Sequence, residues 1–231
     1  MNKNLLKHKL FLEEIARLIT DRFYWKGDLV YKDKIVRVYE NYLPKALGIE
    51  SYFSVLISLI EVEGSTHLLF EQRSNHLTRQ PGEISFPGGK VEPGETPEYA
   101  ALREAQEELN LEPNFVKIIG PSYYLVTPFN DLIYSFAGFL EVDLEEIKPN
   151  DEVESVFTVP LEYFLIHEPL KYEAYIIHEI NEDFPYELIP KGKDYEWRIG
   201  KYPIYFYIYE NHVIWGITAR FTYEFVKKLK L

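Results

Sequence analysis

Cysteine is absent from the chain. That absence removes disulfides, thiolate metal sites and cysteine nucleophiles together, and it fits a reducing compartment. Basic excess is missing too. A formal net charge of −12 argues against the broad cationic footprint of a nucleic-acid binder. A phosphorylated substrate remains admissible, provided that arginines, backbone amides or divalent cations supply local help. No apolar stretch approaches the ~20 residues needed to cross a membrane, and residues 1–12 carry lysines with no apolar h-region behind them. The expectation is a cytoplasmic protein without a membrane or nucleic-acid partner.

What is present is a packed composition. Hydrophobic residues make up 46% of the 231-residue chain, aromatics 16% and charged residues 27%, enough to build the core of one sizeable domain. Residues 5–23 place Leu6, Leu10, Phe11, Ile15, Leu18 and Ile19 at helical spacing, which predicts a first helix. Residues 28–39 read as short strands, and Pro44 breaks any regular element beyond them. Residues 1–48 are therefore taken as an extension packed on a main domain, residues 49–231.

In that domain, residues 52–62 and 66–71 read as strands joined by a turn at Gly64 and Ser65. A polar loop and a short strand at 84–86 come next, and Pro87, Gly88 and Gly89 are expected to stop regular structure. Residues 96–109 have the strongest helical signal, with Thr96 as N-cap, Pro97 in the first position and Asn110 as a left-handed terminator. Strands are expected at 116–125 and 132–142, then a solvated acidic segment at 145–154, a short extended segment at 156–160 and a helix start at 161–166. Residues 171–200 are hard to place. A hairpin over 202–217 leads into a closing helix at 221–229. The total is an α/β (α+β) fold, a mixed sheet with helices packed on it.

The chemistry concentrates in residues 89–111, GKVEPGETPEYAALREAQEELNL. The helix presents Glu104, Glu107 and Glu108; positions 104 and 108 lie one turn apart on one face, with 107 beside them. Three carboxylates so close repel one another unless a cation compensates, and hard oxygen donors suit Mg²⁺ or Mn²⁺. A solvated acidic helix face would show the same residues.

Gly89, Glu95, Arg103, Glu104, Ala105, Glu107, Glu108 and Leu111 fall in register with the signature of the Nudix hydrolase family, which the segment resembles. Asn110 stands where that family usually has glycine. The resemblance implies a Nudix-type α/β/α sandwich with a mixed central sheet and a loop-helix-loop catalytic motif. It implies that Glu104, Glu107 and Glu108 hold the catalytic metals and that Gly89, Glu95, Arg103 and Asn110 shape and brace the motif. A carboxylate must also accept or steer the proton of the attacking water. The resemblance leaves two sources for it, the helix cluster, with Glu107 and Glu104, or a later loop, where Glu152 is the best candidate.

Residues 68–89, LLFEQRSNHLTRQPGEISFPGG, resemble the upstream motif of Nudix enzymes that cleave coenzyme A into 3′-phosphoadenosine 5′-phosphate and 4′-phosphopantetheine. The matching residues are Arg73, Ser74, Leu77, Gly82, Phe86, Pro87, Gly88 and Gly89. A second segment, IWGITAR at 214–220, resembles the C-terminal portion of the same enzymes. Arg73, Arg79, Gly88 and Gly89 are thus candidate substrate contacts, since forked guanidinium donors suit phosphate. ADP-ribose, NADH and dinucleoside polyphosphates share the diphosphate and form one alternative. A catalytically inactive Nudix-fold binding module is another. The aromatic surplus would accommodate a homodimer interface, and a large core would consume the same residues.

Overall fold

The computed structural model describes residues 30–40 and 46–230. The helix expected at 5–23 lies outside the described residues. The chain divides into two compact units, Met1–Leu47 and Gly48–Leu231. In the first, Val30–Tyr39 is a helix, α1, and not the short strands expected there. No glycine or proline interrupts its ten residues, and Arg37 sits in the last turn, where a cation complements the carbonyl end of the helix dipole.

The second unit is built on a seven-stranded mixed sheet. Its strands are β1 (Ser51–Val62), β2 (Ser65–Arg73), β3 (Ile84–Ser85), β4 (Gly88–Lys90), β5 (Val116–Val126), β6 (Asp131–Leu140) and β7 (Val153–Pro160). The order runs β3-β2-β1-β6-β5, with β4 paired to β1 and β7 to β2. β1 and β6 are parallel from Ser51↔Asp131 to Ile60↔Leu140, whereas β1 and β2 form an antiparallel hairpin through the turn at Glu63 and Gly64. A second, three-stranded sheet contains β8 (Leu170–Ile176), β9 (Gly200–Tyr209) and β10 (His212–Trp215). Three more helices complete the unit: α2 (Pro97–Leu109), α3 (Leu161–Ile166) and α4 (Gly216–Leu229).

Alternation along β1 and β2 assigns the two cores. Leu56, Ile60 and Leu69 face one side, where Ala101, Ala105 and Leu109 of α2 cover them. Ile57, Leu59, Leu68 and Phe70 face the other, under Phe164 of α3, Ala219, Phe221, Phe225 and Val226 of α4, and Tyr207 and Ile214 of the small sheet. The alanines of α2 leave no bulk between helix and sheet, so its axis lies close over β1. Phe70 stacks on Phe86 and Phe157, with ring centroids at 4.8 and 5.6 Å, and fixes the opposite side. Among the described residues no helix is long and apolar enough to cross a membrane.

Three expectations in this unit need correction, and one unplaced segment gains a structure. Gly88–Lys90 does not stop regular structure: it pairs with β1 at Val55↔Gly88, Ser54↔Gly89 and Phe53↔Lys90. The missing side chains are what permit that pairing, because a Cβ on Gly88 would lie 2.7 Å from the Cα of Val55. The acidic segment 145–154 is not simply solvated. Ile147 is buried in the core under α2, and Asn150 N–H donates to the Glu108 carbonyl at 2.9 Å. The hairpin's second strand ends at Trp215, and Ile217 already belongs to α4, because Gly216 at φ 63° turns the chain into the helix. Residues 171–200, hard to place from sequence, contain most of β8, whose Leu170, Tyr172, Ala174 and Ile176 alternate along the strand.

Candidate active site

The site is assembled where β4 meets α2. Thr96 caps the helix by accepting from Tyr99 N–H at 3.2 Å, and Pro97 opens it. Asn110 closes it in the left-handed conformation, φ 49° and ψ 49°, and its side-chain amide donates to the Lys148 carbonyl at 2.7 Å. Asparagine thus does the work of a terminating glycine and adds a tether to the segment that leads to Glu152.

Arg103 is the hub of the helix face. Its guanidinium grips Glu95 through Nε at 2.8 Å and Nη2 at 3.2 Å, then reaches Glu104 at 2.8 Å, Glu107 at 3.1 Å and the Lys90 carbonyl at 3.1 Å. Glu95 also accepts from Glu92 N–H, at 2.9 Å, so the loop between β4 and α2 is pinned from both sides. The Arg103 hydrogen bonds hold the Glu95 carboxyl below its usual range.

The three helix carboxylates occupy different environments. Glu107 is exposed, its side chain 58% accessible, while Glu104 is partly buried at 18%. Glu108 is buried, only 3% exposed, and accepts from Gly88 N–H at 2.8 Å. Burial pushes the Glu108 carboxyl well above its ordinary range, and the nearby charge of Glu71 pushes the same way. Glu104 is raised by burial and partly restrained by Arg103. Gly89 lies under Glu104: a Cβ there would collide with the carboxylate.

Glu71, on β2, went unnoticed in the sequence. It is fully buried, accepts from the Ser85 hydroxyl at 2.9 Å through Oε1, and is pushed up to about 7 by burial. The charges of Glu104 and Glu152 add to that rise, and Arg73 opposes it. The available signal was one acidic residue following the apolar run Leu68, Leu69, Phe70. Its strand parity puts it on the face of Leu69, toward α2.

Glu152 is exposed, yet it is anchored beside the same group. Its carbonyl accepts from Ser74 N–H at 2.8 Å, and the Ser74 hydroxyl donates to the Asp151 carbonyl at 2.8 Å. The structure therefore groups Glu71, Arg73, Glu104, Glu108 and Glu152, with Arg103 and Glu107 on the adjoining helix face. Arg79 lies exposed in the loop between β2 and β3, outside that group. The two separated segments also meet: Thr218 of α4 donates to the Ile84 carbonyl at 3.1 Å, next to Ser85.

Three buried polar atoms in this region have no hydrogen-bond partner: Ser54 Oγ, Glu71 Oε2 and Arg73 Nε. Unpaired buried acceptors and donors are costly, and their concentration beside two buried carboxylates fits a site whose charge is completed by a cation and an anionic ligand. Among the described residues no three carboxylates or imidazoles form a ready-made cage for a metal ion. Arg103 occupies Glu104 and Glu107, and Gly88 occupies one oxygen of Glu108.

The site thus lies in a mixed α+β fold in which a glycine-bearing strand, β4, faces a carboxylate-bearing helix, α2. Residues 53–179 match the NUDIX domain family, and the chain belongs to it. It is 42% identical over 125 residues to the peroxisomal coenzyme A diphosphatase NUDT7 of Mus musculus, covering 54% of this chain and 52% of that one. Nudix hydrolase 3 of Caenorhabditis elegans is 38% identical, covering 48% of each chain. An uncharacterized Nudix hydrolase, NudL, of Enterobacter sp. (strain 638) is 31% identical, covering 72% of this chain and 76% of its own. The chain thus spans about half the length of the first two relatives.

Proposed function

We propose that the chain hydrolyses the pyrophosphate of coenzyme A or its derivatives to 3′-phosphoadenosine 5′-phosphate and 4′-phosphopantetheine, or its acyl form, with Mg²⁺ or Mn²⁺ as cofactor. The observation that carries this reading is the burial of Glu71 on β2 and Glu108 on α2 beside Arg73. Two buried carboxylates burden the fold unless they serve a cation. The name of the mouse relative and the resemblance of residues 68–89 and 214–220 support coenzyme A as the substrate.

A bound divalent cation supplies charge neutralisation on the diphosphate and lowers the pKa of the attacking water. Glu104, Glu107 and Glu108 would hold it, which requires Glu104 and Glu107 to loosen their contacts with Arg103. Arg103 keeps the carboxylates aligned, because its own position is fixed by Glu95 and the Lys90 carbonyl. Glu152, or alternatively Glu107 or Glu104, takes the proton from water. The free Nε of Arg73 donates to a phosphate oxygen, and Gly88 and Gly89 keep β4 free of side chains where the diphosphate approaches. The exposed Arg79 reads the 3′-phosphate.

Other Nudix diphosphates use the same carboxylates, so the arginines carry the distinction. The test is mass-resolved turnover of coenzyme A and 3′-dephospho-coenzyme A with Mg²⁺ or Mn²⁺, and with EDTA as control. Metal-dependent release of 3′-phosphoadenosine 5′-phosphate is expected. Arg79→Ala should erase the preference for coenzyme A, and Arg73→Ala should slow both substrates alike. An enzyme that left coenzyme A intact with either metal would refute the reading.

A further inference from the structure

We propose that Glu71 is a fourth carboxylate of the cation centre, supplied by the sheet and facing the three from the helix. The inference rests on the reading of the helix carboxylates as cation ligands and adds a ligand from a different element.

Strand parity is the first argument. Leu69 and Glu71 lie on the same face of β2, and Leu69 packs under α2 with Ala101, Ala105 and Leu109. Glu71 therefore projects toward the helix that bears Glu104 and Glu108, and the three preceding residues, Leu68, Leu69 and Phe70, are as completely buried as it is.

Hydrogen bonding is the second. Oε1 accepts from Ser85 at 2.9 Å, which fixes the carboxylate plane, while Oε2 is buried and has no partner. A carboxylate held by one oxygen with the other bare is half-satisfied, and the bare oxygen is the one free to ligate. If the position served only to meet Ser85, a neutral glutamine would accept the same bond without the cost of a buried charge.

Charge balance is the third. Glu71 has Glu104, Glu108 and Glu152 as acidic neighbours and Arg73 as the neighbouring cation. Among the described residues Arg73 makes no ion pair with any of them, and its own Nε is unpartnered. Arg103 pairs with Glu104 and is shared with Glu95 and Glu107, so two guanidinium groups face six carboxylates, a deficit of positive charge that hard divalent cations, which favour oxygen donors, would fill.

Calorimetric titration with MnCl₂ alone, on the full chain, tests the assignment. It should be paired with the electron paramagnetic resonance spectrum of bound Mn²⁺ and melting curves in EDTA. Glu71→Gln should remain folded in EDTA, bind Mn²⁺ about tenfold or more weakly, alter the Mn²⁺ spectrum and lose most of the metal-induced rise in Tm. Glu71→Asp, which keeps the charge and shortens the reach, should recover part of that affinity; it also serves if the glutamine variant fails to fold. Unchanged Mn²⁺ affinity and spectrum in Glu71→Gln, with weakened binding in Glu108→Gln, would overturn the role of Glu71 and leave the helix site standing. Failure of the unsubstituted chain to bind Mn²⁺ would overturn both.

Discussion

Replacing Glu71 by glutamine in the metal-free protein should change how stability depends on pH. The Glu71 carboxyl is raised from the ordinary 4.5 to about 7, chiefly by burial. Below pH 4.5 it is protonated in both the folded and unfolded chains and costs nothing. As pH rises from 4.5 toward 7 the unfolded chain releases its proton and the folded chain does not, so stability falls across that window and then levels off. An interval of about 2.5 pH units corresponds to about 3 kcal/mol. Full burial argues against discounting it for solvent screening. For a chain of this size that is about 6–12 °C in Tm. Glutamine keeps the bond from Ser85 and cannot ionise. It also relieves Glu108, whose carboxyl is raised partly by the charge of Glu71, and that adds in the same direction. Melting curves of both proteins in EDTA, from pH 4.5 to 7.5, should nearly coincide at the acid end and separate in favour of the variant at the neutral end. Glu95 works oppositely: its carboxyl is held low by Arg103, so its contribution is lost as pH falls, but it is common to both proteins and cancels in the difference. A Tm difference that stays constant over this range would refute the burial argument.

Three further substitutions probe the rest of the site. Glu108→Gln should lower turnover by at least a hundredfold in steady-state assays, yet melt no lower than the parent in EDTA at neutral pH, because the replaced carboxyl is buried and raised. Arg103→Lys keeps the charge but loses the fork that grips Glu95 and spans Glu104 and Glu107; kcat should fall about tenfold to a hundredfold, since such supporting partners carry effects of that order, with KM nearly unchanged. Gly88→Ala places a Cβ against the backbone of Ser54 and Val55, and chemical denaturation should show a loss of about 1–3 kcal/mol, the usual cost of overpacking.

The parts legible in the sequence were those set by local signals. Thr96, Pro97 and Asn110 delimit α2 by capping chemistry that operates within a few residues, and the spacing of Glu104 and Glu108 comes from the helical repeat alone. What escaped depends on partners distant in sequence. Glu71 reads as the polar end of a strand until β7 and α2 are seen to cover it. The burial of Glu108 requires β4, where two adjacent glycines predict a stop in regular structure because they ordinarily interrupt strands; here they admit the β1 backbone. Glu152 looked like one carboxylate in an acidic run, and only the anchoring of its carbonyl to Ser74 singles it out. The alternation in β8 was present in the sequence but was masked by tyrosines on both faces, at Tyr172 and Tyr175.

The central claim is tested most directly by one-pot competition. Equimolar coenzyme A, ADP-ribose, NADH and diadenosine polyphosphates would be mixed with the protein and Mg²⁺ or Mn²⁺, and products followed by mass. Preferential, EDTA-sensitive formation of 3′-phosphoadenosine 5′-phosphate and 4′-phosphopantetheine is the predicted result. Faster cleavage of another member of the mixture would contradict the assignment of coenzyme A, and no cleavage of any member would contradict the assignment of catalysis.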